Sequence, residues 1–360
     1  MKKALLLLAL ACLCAATLNA QDTTRYVDAT SLTITGKIFT DTPNPYHRID
    51  TVRFKGFTTG ENLQVRETSG LGVAFRTDSP FIRIKATYGY IPHQVSTMGI
   101  AAKGFDLYIR KDGKWLWAGS KAGNDGHEEE PLTIVKNMDG SSHDCLLYLP
   151  LISELYSLEI GVKEGSSIEA LPNPFRGRIA IFGSSFTQGI SCARAGMAYP
   201  AQISRMTGLQ LLSLGCSGNC KLQPYFADAL AAADVDAFIF DSFSNPTPKQ
   251  VHDRLFPFIE KIQAAHPGKP LIFQGTIYRE RRNFDQGHEA SEAARIHMAD
   301  SLMKIACKRY KDVYYIQADA TAPSHETSVD GVHPSDYGYT LWAESVAKDI
   351  ARILRKYGIK

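Results

Sequence analysis

From about Gln21 to Val162, hydrophobic side chains fall at every second position. In "FIRIKATY", Ile82, Ile84, Ala86 and Tyr88 alternate with Arg83, Lys85 and Thr87. In "LYSLEIGV", Tyr156, Leu158, Ile160 and Val162 share one face. A period of two belongs to strands, whose successive side chains point to opposite faces of a sheet. "GFDLYIRKDGKWLWAG" reads as a hairpin turning at Asp112-Gly113. No helical stripe interrupts this half, so the pattern predicts an all-β sandwich of two packed sheets. "KEGSSIEALPNPFRG", Lys163 to Gly177, carries Gly, Ser and two prolines and reads as a linker.

Past the linker the period changes. Short apolar runs at Arg178–Phe182, Leu209–Leu214, Ala237–Asp241, Pro270–Gly275 and Val313–Gln317 predict buried strands. Helical spacing fills the gaps. Val251, Leu255, Ile259 and Ile262 mark one helix, which Pro257 is expected to bend. Trp342, Val346, Ile350 and Ile353 mark the last. Such alternation predicts a parallel sheet with helices on both faces, with a functional crevice at the carboxyl ends of its strands.

The first residues differ again. "MKKALLLLALACLCAATLNAQ" has a basic start, a short apolar run and small residues up to Ala20. This is the layout of a signal peptide, and the run is too short to span a bilayer. The expected organisation is therefore a leader over 1–20, a β-sandwich domain over 21–172 and an α/β domain over 173–360, exported to the periplasm or beyond. Cys12 after "ALA" offers an alternative lipoprotein cleavage site. No later stretch is apolar for long enough to cross a membrane.

The 360 residues carry a formal net charge of +3, and Lys2 and Lys3 supply two of those charges. A nearly neutral mature chain gives no electrostatic case for nucleic acid or acidic membranes. Cys145, Cys192, Cys216, Cys220 and Cys307 remain after the leader, an odd number. Cys216 and Cys220 are close enough in sequence to pair, and Cys192 is a partner for either. Cys-x3-Cys without nearby histidines is a poor zinc signal, and no metal or cofactor is implied.

Chemistry concentrates at the strand ends. "IAIFGSSFTQG" ends a buried strand in Gly-Ser-Ser, with Ser185 at the tip. A serine hydroxyl is a weak nucleophile until a base takes its proton, and a histidine base needs a carboxylate to orient it. "SVDGVHPSDYGY" supplies Asp330 and His333, three apart across Gly331. On a turn, that spacing lets the carboxylate meet Nδ1 while Nε2 faces outward. Oxyanion donors are the amide of Ser185, Gly218 in "CSGN" after the second strand, and Asn245 in "SFSNP" after the third. Cys216 and Ser217 are rival nucleophiles in "GCSGN", though neither sits in Gly-x-Ser-x-Gly.

These blocks resemble the SGNH (GDSL-type) hydrolases. Ser185 matches the first block, Gly218 the second, Asn245 the third, and Asp330 with His333 the last, in order over about Arg178 to Lys360. "GFDLY" at Gly104–Tyr108 resembles the β-rich region preceding one two-domain subgroup. Two blocks depart from the family: Ser184 stands where Asp is frequent, and Ser244 and Pro246 flank Asn245 in place of Gly-x-Asn-Asp. The resemblance implies a flavodoxin-like three-layer α/β/α domain behind a jelly-roll-like sandwich. It also implies a cofactor-free serine esterase acting on acyl esters broadly, lipids and acetylated sugars included; with the export expected from the leader, the expected substrate is an acetyl ester of carbohydrate, as small molecule or polysaccharide. Acyl transfer, or glycan binding on an inactive fold, are the alternatives. Trp115, Trp117, Tyr88, Tyr90 and Tyr108 serve either a sugar surface or a core. "YRERRNFDQGH" follows the fourth strand, and its Tyr278, Arg279, Arg281 and Arg282 are candidate substrate contacts.

Overall fold

The computed structural model describes residues 23–360. The expected leader and Cys12 lie outside the described residues. Ten strands build two antiparallel sheets. In chain order these strands, with two short helices among them, are β1 (Thr24–Asp28), β2 (Thr33–Thr35), α1 (Thr59–Gln64), β3 (Gly72–Thr77), β4 (Phe81–Tyr88), α2 (Gly99–Lys103), β5 (Phe105–Lys111), β6 (Lys114–Lys121), β7 (Leu132–Lys136), β8 (His143–Tyr148), β9 (Leu155–Lys163) and β10 (Ile168–Ala170). One sheet has the order β1-β9-β4-β7. The other runs β10-β3-β8-β5-β6, with β2 also on β3. The expected hairpin is present: β5 and β6 are joined by Asp112 and Gly113, both at positive φ, 50° and 76°. Two positive φ values in a two-residue loop match the right-handed twist of the strands.

Two details depart from the sequence pattern. The pairing of β4 with β9 shifts between Thr87 and Tyr88, so that Tyr88 faces Leu155. This bulge turns Leu155 inward and leaves Tyr156 54% exposed, while Leu158, Ile160 and Val162 keep their buried face. The linker is also structured in part. Its β10 pairs with β3, and its Leu171 and Phe175 are buried.

The second half continues with β11 (Arg176–Gly183), α3 (Ser185–Gln188), α4 (Tyr199–Thr207), β12 (Leu209–Gly215), α5 (Pro224–Ala231), β13 (Ala237–Asp241), α6 (Pro248–Ala265), β14 (Leu271–Gln274), α7 (Gln286–Arg309), β15 (Val313–Ile316) and α8 (Asp336–Arg355). All five expected strands are present, in a parallel sheet ordered β12-β11-β13-β14-β15. The strand faces divide by side chain. Ile179, Ile181, Ile239 and Ile272 pack with Trp342, Val346 and Ile350 of α8. Phe182, Phe238, Phe240 and Phe273 pack with α5 and with Val251, Leu255, Ile259 and Ile262 of α6. Helix α6 runs unbroken through Pro257, which lies on its exposed face. The strand order reverses between β11 and β13, the point where open α/β sheets leave a crevice.

The two halves share their cores. Ala74, Tyr108, Leu146 and Tyr148 of the sandwich belong to the same cluster as Phe186, Tyr199 and Trp342. The buried guanidinium of Arg48 donates to the carbonyls of Ser213 and Gly215 at the end of β12, at 3.4 and 2.9 Å. Of the aromatics singled out in the sequence, Tyr88 and Tyr108 are core, whereas Trp117 and Tyr90 are exposed. All five described cysteines are free thiols, so no disulfide joins Cys216, Cys220 or Cys192. No described helix is long and apolar enough to cross a membrane.

Candidate active site

The first strand of the parallel sheet ends at Gly183, and the chain turns at once into α3. Gly183 is required there because a Cβ would meet the Thr187 Oγ1 at 1.9 Å. Ser184 caps the helix: its backbone is extended and its hydroxyl accepts the N–H of Phe186 at 3.2 Å. Ser185 is therefore the first helical residue, and its own N–H has no acceptor within the helix.

Asp241, at the end of the neighbouring β13, fixes this turn. Its Oδ2 accepts from the Ser184 N–H (3.2 Å), the Ser184 hydroxyl (2.8 Å) and the Thr187 hydroxyl (3.0 Å). Its Oδ1 accepts from Ser244 at 3.3 Å. The carboxyl is 1% exposed. Burial pushes its pKa up to about 6, against the pull of the hydrogen bonds from Ser184, Thr187 and Ser244. Asp241 is absent from the residues the sequence suggested. The available signal was a lone carboxylate closing the apolar run "AFIF".

His333 arrives from the opposite end of the chain. A small loop closes between Ser328 and Pro334, and Gly331 within it takes φ +80°. Asp330 Oδ1 accepts the N–H groups of Val332 and His333 at 2.9 and 2.7 Å, and its Oδ2 lies 2.8 Å from His333 Nδ1. Burial would raise the Asp330 carboxyl. The His333 amide and imidazole outweigh that and hold it below the usual carboxylate range. His333 Nε2 lies 3.0 Å from Ser185 Oγ. Three groups called from the sequence thus stand in one chain of contacts, separated by up to 148 residues. Behind the imidazole, the Phe186 ring meets it edge-on at 5.7 Å and leans on Trp342 at 5.4 Å.

The other two candidate oxyanion donors follow β12 and β13, the strands that flank β11. Gly218 has φ +70° and a Cβ position open to solvent, so its left-handed turn is cheap only for glycine. Asn245 Oδ1 accepts the Cys220 N–H at 3.2 Å, which leaves Nδ2 as its free end. The loop between Gly215 and Cys220 is held from two sides. Gln188 Oε1 accepts the Ser217 N–H at 2.8 Å. From the β half, Gln64 donates to the Ser217 carbonyl and accepts from Asn219 Nδ2, both at 2.8 Å. Neither glutamine was legible as a site residue, because nothing in the sequence links positions 64 and 217.

The segment after β14 meets the His333 loop: Arg281 N–H donates to the Gly331 carbonyl at 2.8 Å. Its side chains are used differently from one another. Arg279 is buried, bonded to Glu292 and the Ser244 carbonyl at 2.8 Å each, with its guanidinium 5.3 Å from the Phe186 ring. It is therefore part of the scaffold under the site, not a surface contact. Arg282 is paired with Glu289 and stacked on Tyr278. The Tyr278 hydroxyl bonds Asn283 at 2.6 Å. Arg281 alone presents an exposed guanidinium without a side-chain partner among the described residues. Cys216 is fully buried, and burial pushes its thiol up to about 12, which leaves no thiolate at neutral pH. No described group of His, Cys, Asp and Glu is arranged to hold a metal ion.

A model of the GDSL-like lipase/acylhydrolase family matches residues 176–351, and a model of the GxDLY N-terminus of SGNH-hydrolase-type esterases matches residues 24–168. The crystal structure of a GDSL-like lipase from Bacteroides ovatus is 36% identical, covers 94% of this chain and 99% of its own, and superposes with a TM-score of 0.89. A salicylyl-acyltransferase from a tetracycline biosynthetic pathway is 20% identical over 93% of this chain and 98% of its own, with a TM-score of 0.68. An acetyl xylan esterase from Butyrivibrio proteoclasticus is 12% identical over 92% of this chain and 99% of its own, with a TM-score of 0.55. At such identities the last two show a shared fold. No curated protein matches the chain.

Proposed function

Because the chain belongs to the GDSL-like lipase/acylhydrolase family, we propose that it is a serine esterase whose substrate is an acetyl ester of a carbohydrate. The observation that carries the reading is the contact of His333 Nε2 with Ser185 Oγ at 3.0 Å, with Asp330 on the far side of the ring. His333 takes the Ser185 proton as Oγ bonds to the ester carbonyl carbon. Asp330 accepts Nδ1–H and so keeps Nε2 free as the base. The carbonyl oxygen becomes an oxyanion facing the Ser185 N–H, the Gly218 N–H and Asn245 Nδ2. The C–O bond to the alcohol breaks, and the alcohol leaves with the proton from His333. Water, activated by the same imidazole, then cleaves the acyl-serine bond, releases the acid and returns the proton to Ser185.

The carbohydrate part rests on the leader expected over residues 1–20, which would place the enzyme outside the cytoplasm, and on fold relatives that include carbohydrate esterases. Ser185→Ala should abolish release of p-nitrophenol from p-nitrophenyl acetate and of acetate from acetylated xylan, with an unchanged circular dichroism spectrum. Persisting turnover in the folded variant would remove Ser185 as nucleophile. A wild-type protein active on the first ester and silent on acetylated xylan, mannan and pectin would remove the carbohydrate assignment.

A further inference from the structure

A cavity of about 170 Å³ lies between the two halves beside the Ser217–Gly218 loop. Its catalytic-side wall is Gln188, Ile190 and Ser217. These residues adjoin the reacting groups: Gln188 is one helical turn past Ser185, the Ile190 N–H donates to the Ser185 carbonyl at 3.0 Å, and Ser217 precedes Gly218. The opposite wall comes from the β half, including Gly60 of α1 and the loop bearing Tyr90 and Gln94. That loop is fastened at both ends. Tyr90 exchanges backbone hydrogen bonds with Glu154, at 2.9 Å to its carbonyl and 3.1 Å from its N–H to the Glu154 carboxylate. Thr97 Oγ1 accepts the Ser191 N–H at 3.1 Å. No residue of the His333 loop lines the cavity.

The lining selects the occupant. Gln188 and Gln64 spend their amides on Glu67, Ser217 and Asn219 and hold the wall in shape. The Tyr90 hydroxyl and the Gln94 amide have no partner among the described residues, and both side chains are exposed. A half-exposed tyrosine ring with free polar groups beside it suits a sugar ring, whose C–H face packs on the aromatic face while its edge hydroxyls meet the polar groups. A longer acyl chain would need a continuous apolar wall, whereas Leu63, Pro92, Ile152 and Ile190 share the lining with Glu67, Ser217 and the three glutamines. The volume admits one such ring rather than an oligomer.

We propose that this interdomain cavity is a pyranose subsite, built by the Tyr90–Thr97 loop and α1 of the β half against the Gln188–Ser217 wall, and that it sets the preference for sugar esters. The proposal rests on the esterase reading and extends it to the alcohol part of the substrate. Two variants probe it. Tyr90→Ala removes the ring face while leaving the backbone bonds to Glu154. Gly60→Phe fills the cavity from α1, where an added Cβ meets no atom within 4 Å. Each is expected to lower the ratio of kcat/KM on acetylated xylo-oligosaccharide to kcat/KM on p-nitrophenyl acetate by about tenfold, the loss of one good contact, through KM. In Ser185→Ala protein, saturation-transfer NMR should detect unacetylated xylotriose, and adding Gly60→Phe should erase the signal.

A selectivity ratio within twofold of wild type in both variants would overturn the subsite, as would a change in preference between p-nitrophenyl acetate and butyrate, which would make the cavity an acyl pocket. The NMR arm reads binding without turnover. Loss of all esterase activity in wild type with the xylotriose signal intact would sink the esterase reading and keep the subsite; absence of that signal would sink the subsite.

Discussion

Asp241→Asn tests the anchoring of the nucleophile turn. Asp241 is fully buried, and its carboxyl titrates at about 6 in the folded protein against 3.8 for an ordinary aspartate. The folded state therefore binds the proton more tightly than the unfolded chain. The stability this contributes is present below about pH 4, falls as pH rises toward about 6, and is gone above it. A shift of about two units corresponds to ~3 kcal/mol. Asparagine can keep the contacts. Its Oδ1 in the place of Oδ2 accepts from Ser184 and Thr187, and its Nδ2 donates to Ser244 Oγ, whose own proton can turn to Thr276 Oγ1, 2.7 Å away. The variant should fold and lose this pH dependence. Urea unfolding at pH 4 and pH 7, wild type against variant, measures it. The stability difference should move by ~2 kcal/mol in favour of asparagine between the two pH values, since at pH 4 the unfolded carboxyl is already more than half ionised, other titrating groups cancelling in the comparison. A difference that stays constant across this range would show that Asp241 is ionised with no penalty, and the account of the turn would be wrong.

Asp330→Asn should lower kcat on p-nitrophenyl acetate by roughly 10²–10⁴-fold with little change in KM, because the amide favours the wrong imidazole tautomer; an undiminished kcat would remove Asp330 from the mechanism. Asn245→Ala should cost about 10²–10³ in kcat as one oxyanion donor is lost, and a loss confined to KM would refute that role. Glu67, buried beside Gln188, has its carboxyl pushed up to about 8 by burial, with Arg48 and Gln188 pulling it down. Its stabilising protonated form is lost as pH rises from about 4.5 to 8, so Glu67→Gln should flatten the fall of Tm over that range, and parallel Tm curves would contradict it.

Much of this protein can be read from its one-dimensional pattern, for physical reasons that differ from place to place. The parallel strands are short and buried on both faces, so they appear as uninterrupted apolar runs such as "AFIFD". Asp330 and His333 are legible as a pair because both sit on one turn. Tyr156 misleads because a bulge carries no mark in the alternation it interrupts. Arg279 misleads because a charged residue in a post-strand loop looks solvated until Glu292, thirteen positions on, closes over it. The clamp of Gln64 on Ser217 spans 153 residues and depends on how the two halves dock, which no local pattern encodes.

The common packing of Tyr108, Tyr148, Phe186 and Trp342 bears on how such a molecule can evolve. Stripping away the front of the chain would take from Gln188, at the end of the helix that carries the nucleophile, its Glu67 and Ser69 partners. The two pieces are thus coupled through the seam where they meet, and removing either is expected to unsettle the other. Swapping in a foreign sandwich would be selected first on whether it reseals that seam, and only afterwards on anything it recognises.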